Sequence, residues 1–420
     1  MSIQTTAIVA RSPGPNGPKW ALEEVEAVSS LGAGEVLVEM VATGVCHTDL
    51  VLSGVPEGMM GIHYPKVMGH EGAGYIRAIS PITKSVSIGD PVLLSFQSCG
   101  ACTQCRRQHP AHCAHFNQLN CTGKEGRFLS QATTAAAGQS AKEGIWGSFF
   151  GQSSYAKFSV VHESCLVNVK DVLRNPSDLA TFAPMGCSFQ TGVGAVRNVA
   201  AAGEDDVLLV MGLGGVGMAS VMAGKVNNCK TIIALDKQEA RLQVARSLGA
   251  THTINTVPAE ADSVFDFEQA VRAICPDGPS IVIDTTGVPK LVEAGLETAC
   301  ARGKLIMIGA TPFGYTLDIK GLEHIFSGKS VIGCVEGDCV PKEAITEMIK
   351  WYYEGRFPID KLTTYIPLKE YQKALAGLAA GEIIKAVLLW EEESPADNSL
   401  SKSSETKCAE HSGDLSASRI

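Results

Sequence analysis

Val207-Leu208-Leu209-Val210-Met211 runs straight into Gly212-Leu213-Gly214-Gly215-Val216-Gly217. An apolar segment from Met218 to Val226 follows, and the chain then reaches Thr231-Ile232-Ile233-Ala234-Leu235-Asp236. The first run is rich in strand formers, the segment after the glycines reads as one helix, and the second run reads as a buried strand ending in an acid. Each glycine of this β-turn-α-β unit has a physical reason. Gly212 permits the tight turn, Gly214 lets the backbone approach a pyrophosphate, and Gly217 lets the helix close on the strand. Gly215 and Val216 belong to the same contact, where the helix N-terminus offers free N–H groups to phosphate. Asp236 is placed to accept both hydrogen bonds of an adenosine ribose diol. A glycine-rich turn alone is weak evidence, but the two flanking strands and the acid predict a doubly wound parallel sheet of the Rossmann type with a dinucleotide site.

Beyond Asp236 the β/α alternation continues. Glu239 to Leu248 reads as a helix, and Ser280 to Asp284 and Lys304 to Gly309 read as buried strands. The turns after these strands should touch the cofactor, because ligands of open parallel sheets bind beyond the strands' carboxyl ends. After Gly333 come a helix, Lys342 to Tyr353, and strand-like pieces ending at Leu389. Upstream, residues 1 to about 95 alternate apolar and polar positions between Gly- and Pro-rich turns, the pattern of a small barrel. The 420 residues exceed one ordinary core. The expected organisation is α/β. A mostly β, barrel-like catalytic domain takes 1–188 and 332–390, a nucleotide-binding domain takes 189–331, and a Ser-, Glu- and Lys-rich tail at 391–420 is expected to be disordered.

A composition of 45% hydrophobic and 19% charged residues is that of a soluble globular protein, and a net charge of −9 argues against nucleic-acid or anionic-membrane partners. No secretory pattern or membrane-length apolar run is evident, which points to the cytoplasm. The terminal Ser418-Arg419-Ile420 is only a loose relative of the peroxisomal tripeptide.

Fourteen cysteines in such a chain suggest metal ligands or buried thiols rather than disulfides. Cys99, Cys102, Cys105 and Cys113, spaced C-x2-C-x2-C-x7-C, can close round one ion as an all-thiolate tetrahedron. Zinc is preferred over an iron–sulfur cluster because of the long last gap and the missing Cys-Pro ending. Their loop has little apolar content, so the metal should supply much of its order. Spacing alone leaves Cys46, in Gly44-Val45-Cys46-His47-Thr48-Asp49, and His70, in Gly69-His70-Glu71-Gly72, open between metal ligands and ordinary buried residues. Cys187, in the turn Phe182 to Gly192, is a third candidate. Residues 114–146 read as a polar surface loop or insertion, and Cys229, Cys275 and Cys300 read as core.

Taken together, these motifs resemble the zinc-dependent medium-chain alcohol dehydrogenase family over nearly all of residues 1–390. Within it, Cys46 to Val51, Val92 to Phe96, Phe150 to Tyr155 and Met185 to Gly192 are most similar to aryl (benzyl) alcohol dehydrogenases. The resemblance implies a Rossmann domain joined to a GroES-like catalytic domain. It also implies two zinc ions per chain, a catalytic one on Cys46, His70 and Cys187 and a structural one on the four clustered cysteines. Thr48 is implied as acceptor of the alcohol proton, Glu71 as a carboxylate behind the metal, and Phe96 as a pocket aromatic. His47, Thr191, Arg241 and Lys385 are implied as cofactor contacts. Trp146, Phe149 and Phe150 read either as lining of the cleft or as packing. The family's usual relay histidine three positions after the Thr is replaced by Val51, so the proton route beyond Thr48 and the ribose is open. The implied reaction is reversible oxidation of a primary, aromatic or allylic alcohol to its aldehyde with NAD, in a homodimer or homotetramer. The alternatives are a biosynthetic carbonyl reductase, a glutathione-dependent formaldehyde dehydrogenase, or a catalytically idle structural protein on the same scaffold. Asp236 should repel a 2′-phosphate, although Lys237 and Arg241 lie close enough to soften that preference.

Overall fold

The computed structural model describes residues 2–15, 17–130, 142–257 and 265–390; the tail at 391–420 and the polar segment at 131–141 lie outside the described residues. Six parallel strands form one sheet in the order His252–Asn255, Thr231–Asp236, Val207–Met211, Ile281–Asp284, Lys304–Met307 and Ser330–Gly333. Alternate residues of two inner strands, Val207–Met211 and Thr231–Asp236, serve opposite faces. Leu208, Val210, Ile232 and Ala234 belong to one core cluster. Leu209, Met211, Ile233 and Leu235 belong to another. Cover on both faces is why these strands read as unbroken apolar runs. The helix Gly215–Val226 follows the glycine turn. Gly212 takes φ +86°, and a Cβ on Gly217 would come within 1.9 Å of the Gly212 carbonyl oxygen, so neither position accepts a side chain. The sixth strand spans residue 331, the expected limit of the nucleotide-binding region.

The remaining strands form a closed five-stranded barrel and a seven-stranded sheet. The barrel joins Ser2–Gly14, Gly17–Val28, Lys66–Val67, Lys124–Ser130 and Gly144–Gly147. The last two correct the reading of 114–146 as loop. Phe128 and Ile145 are buried in the barrel core, and their pattern escaped notice because Gly126 and charged residues interrupt runs of only seven and four residues. The first ninety-five residues are not wholly β either, since a helix spans His47–Ser53. In the seven-stranded sheet the late strand Lys385–Leu389 pairs antiparallel with Glu35–Val45, with Ala386 opposite Val45. That register sets Lys385 beside the end of the strand that delivers Cys46.

Candidate active site and metal centres

Cys46 caps the helix His47–Ser53, and Asp49, its third residue, accepts a hydrogen bond from the Cys46 backbone N–H at 3.1 Å. The other Asp49 oxygen meets the Gly69 N–H and His70 Nδ1, each at 3.1 Å. One fully buried carboxylate thus starts a helix and orients an imidazole. Gly69 takes φ +85°, and a Cβ there would strike Tyr155, so only glycine fits just before His70. Cys187 lies at the start of the helix Ser188–Gly194.

These elements bring one donor atom each from Cys46, His70, Glu71 and Cys187 within 4.8 Å of one another, all buried. His70 Nε2 has no hydrogen-bond partner in this dry setting, an expensive arrangement unless an ion takes the nitrogen. Two sulfurs and an imidazole suit zinc and not the oxygen-seeking magnesium or calcium. The hydrogen bond from Cys187 draws the Cys46 thiol well below its usual range against desolvation, with His70 and Lys385 adding to the pull. The same bond, together with burial, pushes Cys187 well above its range. Of the two sulfurs Cys46 is thus the more readily ionised, and a metal would require both as thiolates.

Behind this cluster Glu71 accepts from the Ser188 N–H at 3.1 Å, from the Ser188 hydroxyl and from Lys385 Nζ at 2.7 Å. Lys385 also donates to Val45 O at 3.0 Å and Ser188 Oγ at 2.7 Å. Burial raises the Glu71 carboxyl, and the Lys385 ammonium opposes that rise. A further acid, Glu336, reaches the cluster from the far side of the sequence. Its Oε1 lies 3.4 Å from Cys187 Sγ, and Gln190 Nε2 donates to its Oε2 at 2.9 Å. Burial pushes the Glu336 carboxyl up to about 7.

A cleft of about 470 Å³ runs from Cys46, His47 and Val51 past the glycine turn to Asp236 and Arg241, with Lys385 in its wall. A Cβ on Gly214 would meet nothing within 4 Å, leaving the backbone open to a close-lying ligand. Asp236 accepts from the Leu213 N–H at 2.8 Å and the Gln238 N–H at 2.9 Å. Arg241 donates to the Gly381 carbonyl at 2.7 Å and the Ile383 carbonyl at 3.3 Å. Thr48 is half-buried in the first turn after Cys46. The Thr191 hydroxyl donates to Cys187 O at 2.8 Å and does not line the cleft.

The aromatics divide. Phe150, in a left-handed conformation with φ +50°, stacks on the His70 ring at 4.5 Å, and Phe149 meets it edge-on at 5.6 Å. Phe116 links Phe150 at 6.0 Å to Phe96 at 5.9 Å. Trp146 instead stacks on His63 at 4.5 Å.

Cys99, Cys102, Cys105 and Cys113 also gather within 4.8 Å of one another, nearer the surface. Backbone N–H groups of Cys99, Cys102, Ala114 and His115 point at their sulfurs over 3.3–3.5 Å. Backbone hydrogen bonds from Ala114 and Cys105 hold the Cys102 thiol down to about 6. Four convergent sulfurs fit a closed zinc site.

Sequence reasoning quoted Asp49 without a role and missed Ser188, Gln190 and Glu336. Asp49 was within reach, as the third residue of a helix that Cys46 caps. Glu336 stands 149 positions from its partner Cys187 and carries no local signal.

The description "Alcohol dehydrogenase GroES-like domain" matches residues 32–171, and "Zinc-binding dehydrogenase" matches residues 215–354. A geraniol dehydrogenase of Castellaniella defragrans is 32% identical over 389 residues, 92% of this chain and 98% of its own. An alcohol dehydrogenase zinc-binding domain protein from Burkholderia ambifaria superposes with a TM-score of 0.81 at 34% identity, covering 93% of this chain and 100% of its own. Benzyl alcohol dehydrogenase from Acinetobacter calcoaceticus gives a TM-score of 0.78 at 32% identity, covering 91% and 99%. With both domain families matched in order and the two cysteine-bearing clusters assembled, the chain belongs to the zinc-dependent medium-chain alcohol dehydrogenases.

Proposed function

We propose that this enzyme interconverts primary aromatic or allylic alcohols and their aldehydes with NAD, using Cys46, His70 and Cys187 as ligands of a catalytic zinc. The observation that carries the substrate reading is the likeness to a geraniol dehydrogenase and to a benzyl alcohol dehydrogenase, each 32% identical over about nine-tenths of the chain. Bound zinc supplies a Lewis acid for the alcohol oxygen, and NAD supplies the hydride acceptor. Asp49 holds the His70 ring so that Nε2 faces the two sulfurs. Thr48, two residues from Cys46, would accept the hydroxyl proton, and Val51 offers no acceptor where relatives carry a relay histidine. His47, which lines the cleft together with the glycine turn, would contact the pyrophosphate of bound NAD. Lys385 acts mainly through Glu71, because its ammonium is spent on Glu71, Ser188 and Val45. The four cysteines 99, 102, 105 and 113 hold the second, structural zinc.

Preference for NAD rests on Asp236, whose oxygens are fixed by two backbone N–H groups at the adenosine end of the cleft. Arg241, which donates to the Gly381 and Ile383 carbonyls and lies 3.9 Å from Asp236, and Lys237 in the same cleft oppose that preference. A homo-oligomer is supported by the outer edge of Ser330–Gly333, near which the helix Gly321–Ser327 exposes Leu322, Ile325 and Phe326 by 69%, 75% and 82%. Exposed apolar side chains of that size suit a second copy of the chain, and sedimentation of Phe326→Glu as a monomer is the expected outcome.

Initial rates against a panel of aromatic, allylic and saturated alcohols, with NAD and NADP, test the reading. Benzyl- and cinnamyl-type substrates should exceed saturated alcohols in kcat/KM by at least about tenfold, a discrimination worth about 1.4 kcal/mol. A preference for saturated alcohols, or for NADP, refutes the corresponding part. Rates with aldehyde and NADH test the reductase alternative, and glutathione dependence would reveal the formaldehyde-oxidising one.

A further inference from the structure

Two antiparallel strands run toward the buried cluster and part just before they reach it. Gly72–Ile79 pairs with Pro91–Leu94 as far as Ala73 opposite Leu93. Carried on in the same register, the strands would set His70 opposite Phe96 and close the space between them. A side chain from elsewhere in the sequence fills the fork instead. Gln152 is fully buried, and its Nε2 donates to His70 O at 2.9 Å and to Ser95 O at 3.0 Å. Its Oε1 accepts from the Gly72 N–H at 3.0 Å. Two carbonyls can only accept and a backbone N–H can only donate, so the amide has one possible orientation. No group in these bonds gains or loses a proton, with or without a metal. A Cβ on Gly72 would come 3.1 Å from Gln152 Oε1 and 2.8 Å from Leu94 and Ser154, so the fork has no room for a second side chain.

The segment that delivers Gln152 is itself tightly constrained. Ser148, Phe150 and Ser153 take φ values of +57°, +50° and +53°, with Gly151 at +69° among them. Residues with side chains persist in that left-handed region only where their surroundings impose it. The Ser153 hydroxyl accepts from the Phe149 N–H at 3.0 Å and donates to Val67 O at 2.7 Å. The Ser154 N–H donates to Gly69 O at 2.9 Å and the Tyr155 N–H to Met68 O at 3.1 Å. The segment is thus tied to Val67, Met68 and Gly69, which lead into His70, and Gln152 adds bonds at His70 and just beyond it. An apolar side chain of the same length would fill the fork and leave buried backbone groups unpaired. The amide acts as a spacer of fixed length between two backbones.

We propose that Gln152 is a positioning residue for the catalytic site, holding the two strands apart and so fixing where His70 stands relative to Cys46 and Cys187. The inference rests on the assignment of Cys46, His70 and Cys187 as metal ligands. Groups that orient a ligand typically change metal affinity by about 10–100-fold when removed, and a misplacement of about 1 Å can cost about 100-fold in rate.

The test uses full-length holoenzyme carrying cobalt in the buried cluster and zinc at the four cysteines, comparing Gln152→Met and Gln152→Glu with the parent. Gln152→Met keeps the length and removes every polar atom. Gln152→Glu keeps the acceptor for Gly72 and has at most one proton for the two carbonyls. The cobalt absorption spectrum and the rate at which a chelator removes cobalt are read where zinc at the four cysteines stays bound, so a lowered melting temperature alone moves neither. Gln152→Met should shift the cobalt bands and speed cobalt loss by about 10–100-fold, and Gln152→Glu should do both to a smaller degree. A parental spectrum and off-rate in Gln152→Met, whatever its melting temperature, overturn the proposal. Where Gln152→Met does not fold, Gln152→Glu decides: parental behaviour overturns the proposal, and shifted bands with faster cobalt loss uphold it. Gln152→Glu departing further from the parent than a folded Gln152→Met also overturns it, because charge rather than spacing would then be at work. A parental cobalt spectrum for His70→Ala would instead overturn the ligand assignment itself, which keeps the two failures distinct.

Discussion

The two cysteine clusters are built from similar donors and held by opposite means. Around Cys46, His70 and Cys187 the fold supplies charged partners from distant parts of the chain, Asp49 on His70 and Lys385 on Glu71, all buried. Around Cys99, Cys102, Cys105 and Cys113 it supplies neighbouring backbone N–H groups aimed at sulfur. Partners already set in place by the fold suit an ion that keeps an open position for chemistry. The second cluster has little apolar support, so the ion organises the segment instead. One cluster is placed by the fold, and the other places part of the fold.

That contrast fails first if ligand loss acts alike at both. Cys46→Ser or Cys187→Ser should lower kcat/KM on the order of 10³-fold, the scale of several kcal/mol of Lewis-acid assistance. NADH binding by fluorescence should stay near the parent's and one zinc per chain should remain, whereas near-parental turnover would remove these residues from the chemistry. Next, Lys385→Met strands Glu71 in a buried site and should cost about 3–5 kcal/mol in denaturant unfolding. A loss below about 1 kcal/mol, the value of an exposed pair, would mean that the buried cluster does not depend on its countercharge. At the other cluster, Cys102→Ser should drop the thermal midpoint by about 5 °C or more as its ion is lost, with turnover per folded molecule largely kept. An unchanged midpoint would deny that this ion orders its lobe.

The smallest effect concerns Glu35, which belongs to neither cluster. Against the desolvation that would raise it, hydrogen bonds from Lys124, the Gly32 N–H and Arg127 hold its carboxyl down to about 2. A depressed carboxylate stabilises the fold above its unfolded value near 4.5 and ceases to do so as pH falls toward 2. Glu35→Gln should therefore lose roughly 1–2 kcal/mol at neutral pH, discounted because Lys124 is exposed. The gap from the parent should close in acid, and a gap constant with pH would point to shape rather than charge.

What could be read from sequence follows the same division. Parallel strands covered on both faces announce themselves as apolar runs, so Val207–Met211, Thr231–Asp236, Ile281–Asp284 and Lys304–Met307 were legible almost to the residue. Barrel strands such as Lys124–Ser130 were not, because closure is fixed by pairing with Val25–Ala27 about a hundred positions away. Within the site, the side chains of compact motifs that gather into the two clusters were legible, and the four cysteines most of all. Glu336, Gln190 and the inward turn of the Lys385 ammonium depend on contacts between segments 146 to 340 residues apart, and no local pattern encodes such meetings.

The pairing of Lys385–Leu389 with Glu35–Val45 has a further consequence for the order of synthesis. Glu71 emerges more than three hundred residues before the ammonium that neutralises it. Until that last strand is made, a carboxylate destined for a dry interior has no countercharge, and water is its better host. The first lobe should therefore stay hydrated and open throughout elongation, closing only as the final strand inserts. Chains cut short before Lys385 should then be substrates for proteolysis rather than idle enzymes.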